Sequence, residues 1–164
     1  MIYDCFTFNN ELEMLRLRLT ELWEVVDRFV LVEAGYTHTG MPKPWSYADH
    51  RESFREFQEK IIHVRVEDLP RDPNPWVAEG FQRDAIARGL VDARPEDWVL
   101  VSDADEIPRA SVVRQLGESS LLAAGLQLSL SYFKVNYLNV RGEPQLIWTV
   151  ASRKGQMASP NLMR

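Results

Sequence analysis

The stretch that decides the fold is Trp98-Val99-Leu100-Val101-Ser102-Asp103-Ala104-Asp105-Glu106-Ile107-Pro108. An apolar run of strand character ends there in a cluster of carboxylates. An ionised carboxylate is costly to bury unless it is paired or metal-bound, so such a strand delivers its acids where it leaves the sheet. Asp103 and Asp105 bring two hard oxygen ligands to one point at the strand's carboxyl end, the edge where open α/β sheets bind ligands. Mg²⁺ and Mn²⁺ prefer such oxygens and commonly share them with a substrate's phosphates. The pattern points to a sugar-nucleotide diphosphate held through a divalent cation. The competing reading is that Asp-x-Asp is short and common, and that acids after a strand merely cap the next helix. Pro108 stops the strand, and Arg109 to Leu116 reads as a helical start, so the acids form a loop with ordered structure on both sides.

Outward from this loop, strands alternate with helices. Ile2 to Phe8 reads as the first strand, with Asn9 or Asn10 expected to cap the following helix. Leu12, Leu15, Leu19 and Leu22 recur in that helix at helical spacing. Phe29 to Val32 is a continuous apolar run ending at Glu33, the pattern of a parallel strand buried on both faces. Gly35 to Tyr47 is a loop punctuated by Gly40, Pro42 and Pro44. Phe54 to Lys60 reads as a short helix, Ile61 to Val66 as a third strand and Glu67 to Pro75 as a loop. Trp76 to Leu90 reads as a helix with Val77, Phe81, Ala85 and Ile86 inward, and Trp98 to Ser102 as the fourth strand. Such alternation predicts a mostly parallel sheet flanked by helices. Leu126 to Tyr137 and Gln145 to Ala151 have no helix between them and are expected to add antiparallel strands.

The whole chain of 164 residues reads as one domain, 45% hydrophobic and 26% charged, in the ordinary range for a globular protein. A net charge of −5 without any basic stripe argues against nucleic acid as a partner. The single Cys5 excludes an internal disulfide framework and reads as a buried residue of the first strand. No apolar run reaches membrane-spanning length, and Asp4 interrupts any signal-like start, so a cytoplasmic location is the expectation. Nothing in the pattern speaks to oligomeric state.

Other residues offer chemistry with a plainer alternative beside it. Arg83 can meet a phosphate, or pair with Glu79 four residues earlier on the helix surface. Glu33 ends its strand at the same sheet edge as Asp103, and is either a site residue or the first solvated residue after a buried run. His63 alternates with Ile62 and Val64 as a sheet residue. Trp98 reads as core, and Trp45, in a loop, as a stacking platform for a sugar.

Several segments then fall in one order: Tyr3-Asp4-Cys5-Phe6-Thr7-Phe8-Asn9-Asn10-Glu11, Val26 to Glu33, Phe81-Gln82-Arg83-Asp84-Ala85-Ile86, and Ser102 to Pro108. With Thr39-Gly40-x-Pro42-Lys43-Pro44, they resemble glycosyltransferase family 17, over most of the chain to about Tyr137. The resemblance implies a GT-A type, Rossmann-like α/β fold that binds nucleotide sugars. It implies that Asp103 and Asp105 grip the donor diphosphate through Mn²⁺ or Mg²⁺, with Asp105 the main metal ligand. It also implies transfer of N-acetylglucosamine from UDP-GlcNAc to a glycan acceptor such as a β-linked mannose, with inversion. Asp105 and Glu106 are the candidate catalytic residues, Glu106 by orienting the loop. Phe8, Asn9, Glu11, Glu33, Arg83, Asp84 and Asp103 are the candidate donor-binding residues, with Arg83 or Asp84 facing the cleft. Family members carry a further Trp-His-Phe-Ser-like stretch that these residues do not contain. The nucleotide-binding half is therefore expected whole and the acceptor half incomplete. A nucleotide-sugar-binding module without turnover is the alternative reading.

Overall fold

A computed structural model describes residues 1–128 and 147–163. Strands β1 (Ile2–Phe8), β2 (Arg28–Ala34), β3 (Ile61–Val66), β4 (Trp98–Asp103), β5 (Ala123–Gln127) and β6 (Ile147–Arg153) form one sheet in the order β3-β2-β1-β4-β6-β5. The first four pair in parallel, and β6 runs antiparallel to both β4 and β5. Helices α1 (Leu12–Leu22), α2 (Ser46–Asp49), α3 (Pro75–Asp84), α4 (Ala110–Glu118) and α5 (Pro160–Met163) complete the described elements, with 3₁₀ turns at Arg51–Phe57, Ala85–Gly89 and Lys154–Gln156. No helix among the described residues is long and apolar enough to cross a membrane.

Strand periodicity of two builds a core on each face. Phe6, Phe8, Phe29, Leu31, Trp98 and Leu100 pack beneath Leu15, Leu19 and Leu22 of α1 and Val113 and Leu116 of α4. Tyr3, Cys5, Val30, Val32, Val99 and Val101 pack on the opposite side against Ala78 of α3 and Ala85, Ile86 and Leu90 beyond it. Residues alternating along one strand thus feed both layers, which is why the parallel strands read as unbroken apolar runs. Burial of Cys5 pushes its thiol well above the ordinary range.

Several expectations are corrected. Neither Asn9 nor Asn10 caps α1: Glu11 takes that position, and its carboxylate turns back to accept the amide N–H groups of Asn9 (3.1 Å) and Asn10 (3.0 Å). The helix expected from Trp76 to Leu90 starts at Pro75, capped by the Asn74 side chain, and tightens to a 3₁₀ turn at Ala85. Val77 on it is exposed, and Gln82 is buried instead. The segment expected as a helix over Phe54 to Lys60 is a 3₁₀ turn over Arg51–Phe57. The added strands occupy Ala123–Gln127 and Ile147–Arg153, and the remainder of the two predicted runs lies outside the described residues. Trp45 is half-buried and packs on the chain: Arg65 stacks 4.2 Å from its ring, and a Cβ on Gly35 would meet the indole at 2.9 Å.

Candidate functional site

Strand order reverses between β1 and β4. From β1 the chain crosses by α1 to β2 on one side, and from β3 it crosses by α3 to β4 on the other. Ligands of open α/β sheets lie in the crevice beyond the carboxyl ends at such a point. A cavity of about 540 Å³ opens there, floored by Thr7 and Phe8 of β1 with Asn9 just after it, and by Asp103 of β4 with Ala104 and Asp105 just after it. The loop after β2 supplies Tyr36, Thr37, His38 and Lys43 to its walls, and α3 supplies Glu79, Gln82 and Arg83.

The alternation along β4 sorts its side chains. Ser102 follows Trp98 and Leu100 to the α1 face, whereas Asp103 follows Val99 and Val101 towards α3. Asp103 thereby meets Arg83, whose Nη2 lies 3.4 Å from its Oδ1. The same nitrogen donates to Glu79 at 2.7 Å, and Nη1 donates to Asn161 of α5 at 3.2 Å. Arg83 thus makes the helical pair with Glu79 and also lines the cleft. Its buried Nε has no hydrogen-bond partner among the described residues.

On the other face stands a residue that the sequence reading passed over. Arg18, in α1, is fully buried. Its Nε and Nη2 donate to the two oxygens of Asp4 at 2.7 and 2.6 Å, and Nη2 donates to Ser102 Oγ at 2.6 Å. Its Nη1 faces the carbonyls of Asp103 (2.9 Å), Ala104 (3.3 Å) and Glu106 (3.2 Å). Glu106 closes the loop from within, its carboxylate accepting the Asp103 amide at 2.8 Å while its carbonyl accepts Thr149 Oγ1 at 3.2 Å. Asp105 is left exposed at the cleft and Asp103 partly exposed. The signal for Arg18 was present: it sits three residues after Leu15 and four before Leu22, on the apolar stripe, and Asp4 interrupts an otherwise apolar strand.

The remaining candidates are divided by the fold. Phe8, Asn9, Glu11, Arg83 and Asp103 border the cleft. Glu33 lies inside β2, fully buried, where it accepts the Tyr47 amide at 3.1 Å and faces His63 Nε2 at 3.0 Å. Asp84 turns away from the cleft to accept the Asn161 amide at 2.9 Å. Lys43 and His38 join the site instead. Lys43 Nζ donates to the Asn9 carbonyl at 3.0 Å and lies 3.8 Å from Glu33. Burial pulls its ammonium below its ordinary value, against the opposing pull of Glu33. His38 Nε2 lies 2.7 Å from Gln82 Oε1, and Gln82 Nε2 donates to the Val32 carbonyl. With the Gln82 amide committed that way, His38 Nε2 carries the hydrogen of this bond.

The profile of glycosyltransferase family 17 matches residues 1–140. The chain belongs to that family. Relatives named beta-1,4-mannosyl-glycoprotein 4-beta-N-acetylglucosaminyltransferase include those of Rattus norvegicus and Homo sapiens, each 30% identical over 116 residues, 65% of this chain. The Mus musculus protein of that name is 29% identical over the same length. The family 17 chain described here spans about a fifth of each relative, 21% of the rat protein and 22% of the human one. Among solved structures, 2-C-methyl-D-erythritol 4-phosphate cytidylyltransferase of Francisella tularensis is similar with a TM-score of 0.44 and 14% identity, over 94% of this chain and 73% of that one. No group of three or more side chains placed to hold a metal ion together occurs among the described residues, so the family 17 cleft presents no closed protein cage there.

Proposed function

We propose that the cleft between β1 and β4 holds a uridine-diphosphate sugar, with UDP-GlcNAc as donor, for inverting transfer to a glycan acceptor by a GT-A type fold. The observation that carries this reading is the charge around the cleft. Among the described residues that line it, Glu11, Glu79, Asp103 and Asp105 stand against Lys43 and Arg83. A diphosphate placed there would meet net repulsion unless a cation came with it. Two carboxylates at the cleft, completed by phosphate oxygens, are the donor set that suits Mg²⁺ or Mn²⁺, which are seldom enclosed by protein ligands alone. Asp105 and Asp103 are the residues that would hold the ion, which supplies Lewis-acid stabilisation of the departing diphosphate.

The chain's own groups do the rest. Glu106 and Arg18 hold the loop, Arg83 places a guanidinium at the diphosphate, and Lys43 approaches from the opposite loop. A second cavity of about 430 Å³ shares Asp105 with the cleft and is lined by Ile107, Pro108, Val112 and Leu126 together with Arg109. Apolar faces beside a charged group suit the C–H surface and hydroxyls of a sugar ring, so the acceptor belongs on that side of Asp105.

Isothermal titration with UDP, with and without Mn²⁺, tests the donor half. The expected result is binding that requires the metal and is lost in Asp105→Ala; unchanged affinity in that variant would refute the assignment. UDP release from UDP-GlcNAc, measured with and without a panel of mannosides, tests transfer. Tight binding with no release would instead support a nucleotide-sugar-binding module.

A further inference from the structure

We infer that Arg18 is a positioning residue that fixes the direction in which Asp103 and Asp105 face the cleft, with Asp4 holding Arg18 in place. A guanidinium has five N–H donors in a rigid plane, and here they are divided between two tasks. Nε and one terminal nitrogen clamp Asp4 in the middle of β1 in a bidentate pair. Nη1 collects the carbonyls of Asp103, Ala104 and Glu106, all from the loop that carries the acids. Drawing those carbonyls inward leaves the intervening side chains the outward directions, and Asp103 and Asp105 take them. The Ser102 hydroxyl, bonded to the same guanidinium, fixes the last residue before the loop.

The alternative is that the pair merely stabilises the sheet. A buried ion pair is weak support for stability, because desolvation offsets much of its attraction. An aliphatic pair between α1 and β1 would fill the space, yet would leave the loop carbonyls without their donor. The arrangement also links two strands that are far apart in sequence at the one place where their ends form the cleft. The ligand-binding part of this inference rests on the proposed nucleotide site; the loop-ordering part does not.

The test uses the whole chain and three variants. Arg18→Lys keeps a charge for Asp4 but has no planar fork to reach Ser102 and the carbonyls. Leu90→Ala, in the opposite core layer, serves as a destabilised control with an untouched loop. Hydrogen exchange over residues 103–106 reads loop order without ligand, and titration with UDP in Mn²⁺ reads the site. Arg18→Lys is expected to lose protection over 103–106 and to bind UDP about tenfold more weakly, while Leu90→Ala keeps both at equal or greater loss of melting temperature. Unchanged protection and affinity in Arg18→Lys, or parallel losses in Leu90→Ala, would overturn the inference. Should Arg18→Lys not fold, Ser102→Ala removes one restraint; lower protection with about threefold weaker binding supports the inference, and no change in either overturns it. If the wild-type chain fails to bind UDP with Mn²⁺ while the exchange contrast holds, the nucleotide reading falls and the ordering role of Arg18 stands.

Discussion

At Arg83 one side chain serves a helix, a cleft and the C-terminal turn. It pairs with Glu79 within α3, reaches Asn161 in α5 and lies 3.4 Å from Asp103. In the function proposed above, the donor's diphosphate would take a share of this guanidinium from Asp103. Charge-assisted bonds of this kind contribute on the order of 1.5–3 kcal/mol, so Arg83→Ala is expected to weaken UDP binding by about tenfold or more. The partners it leaves are polar and partly solvated, and the melting temperature is expected to fall by only a few degrees, roughly 1 kcal/mol of stability. Titration and thermal denaturation of the same variant check both numbers; a large stability loss with intact affinity would make Arg83 structural. Glu33 shows why a residue's position at a strand end does not give its role. It follows an apolar run and so resembles Asp103 in sequence, but β2 continues to Ala34 and keeps its carboxylate under the sheet with His63 and Tyr47.

Among the elements, the strands buried on both faces and the antiparallel β6 were legible, whereas most of β5 was not. The parallel strands read directly because both faces are covered, so Phe29 to Val32 and Trp98 to Ser102 are continuous apolar runs. β5 begins at Ala123, with Ala124 and Gly125 following, and nothing in that composition favours a strand. Its place is set by hydrogen bonding to β6, whose paired residues lie 20 to 29 positions away. The acid loop was legible because ionised carboxylates are costly to bury without partners, whereas its support was not, since arginine is ordinarily a surface residue. The 3₁₀ turn after α3 illustrates a constraint of close approach. A Cβ at Gly89 would lie 2.4 Å from Val30 Cγ1 and 3.1 Å from Val64 Cγ2. Gly89→Ala must therefore push this turn off β2 and β3, costing about 1–3 kcal/mol by overpacking. Chemical denaturation reads that loss, and UDP affinity is expected to stay unchanged because the contact lies outside the cleft.

For the whole molecule, the position of β1 has a consequence in time. β1 pairs with β2 on one edge, from Tyr3 opposite Arg28, and with β4 on the other, from Ile2 opposite Trp98. As a chain is synthesised, the β2 edge is satisfied early, but the opposite edge of the central strand stays open until residues beyond Trp98 emerge. Pairings this distant in sequence are slow to form, and an unpaired strand edge is a template for wrong partners. Chains released before β4 are expected to aggregate, and to leave the amides of Ile2 to Phe8 on that edge exchanging freely with solvent. Chains that extend through Arg153 are expected to protect them, a contrast that hydrogen exchange on nascent or truncated products would register. Because the floor of the cleft is made from the ends of those same two strands, the cleft and the safe closure of the sheet arrive in a single late event.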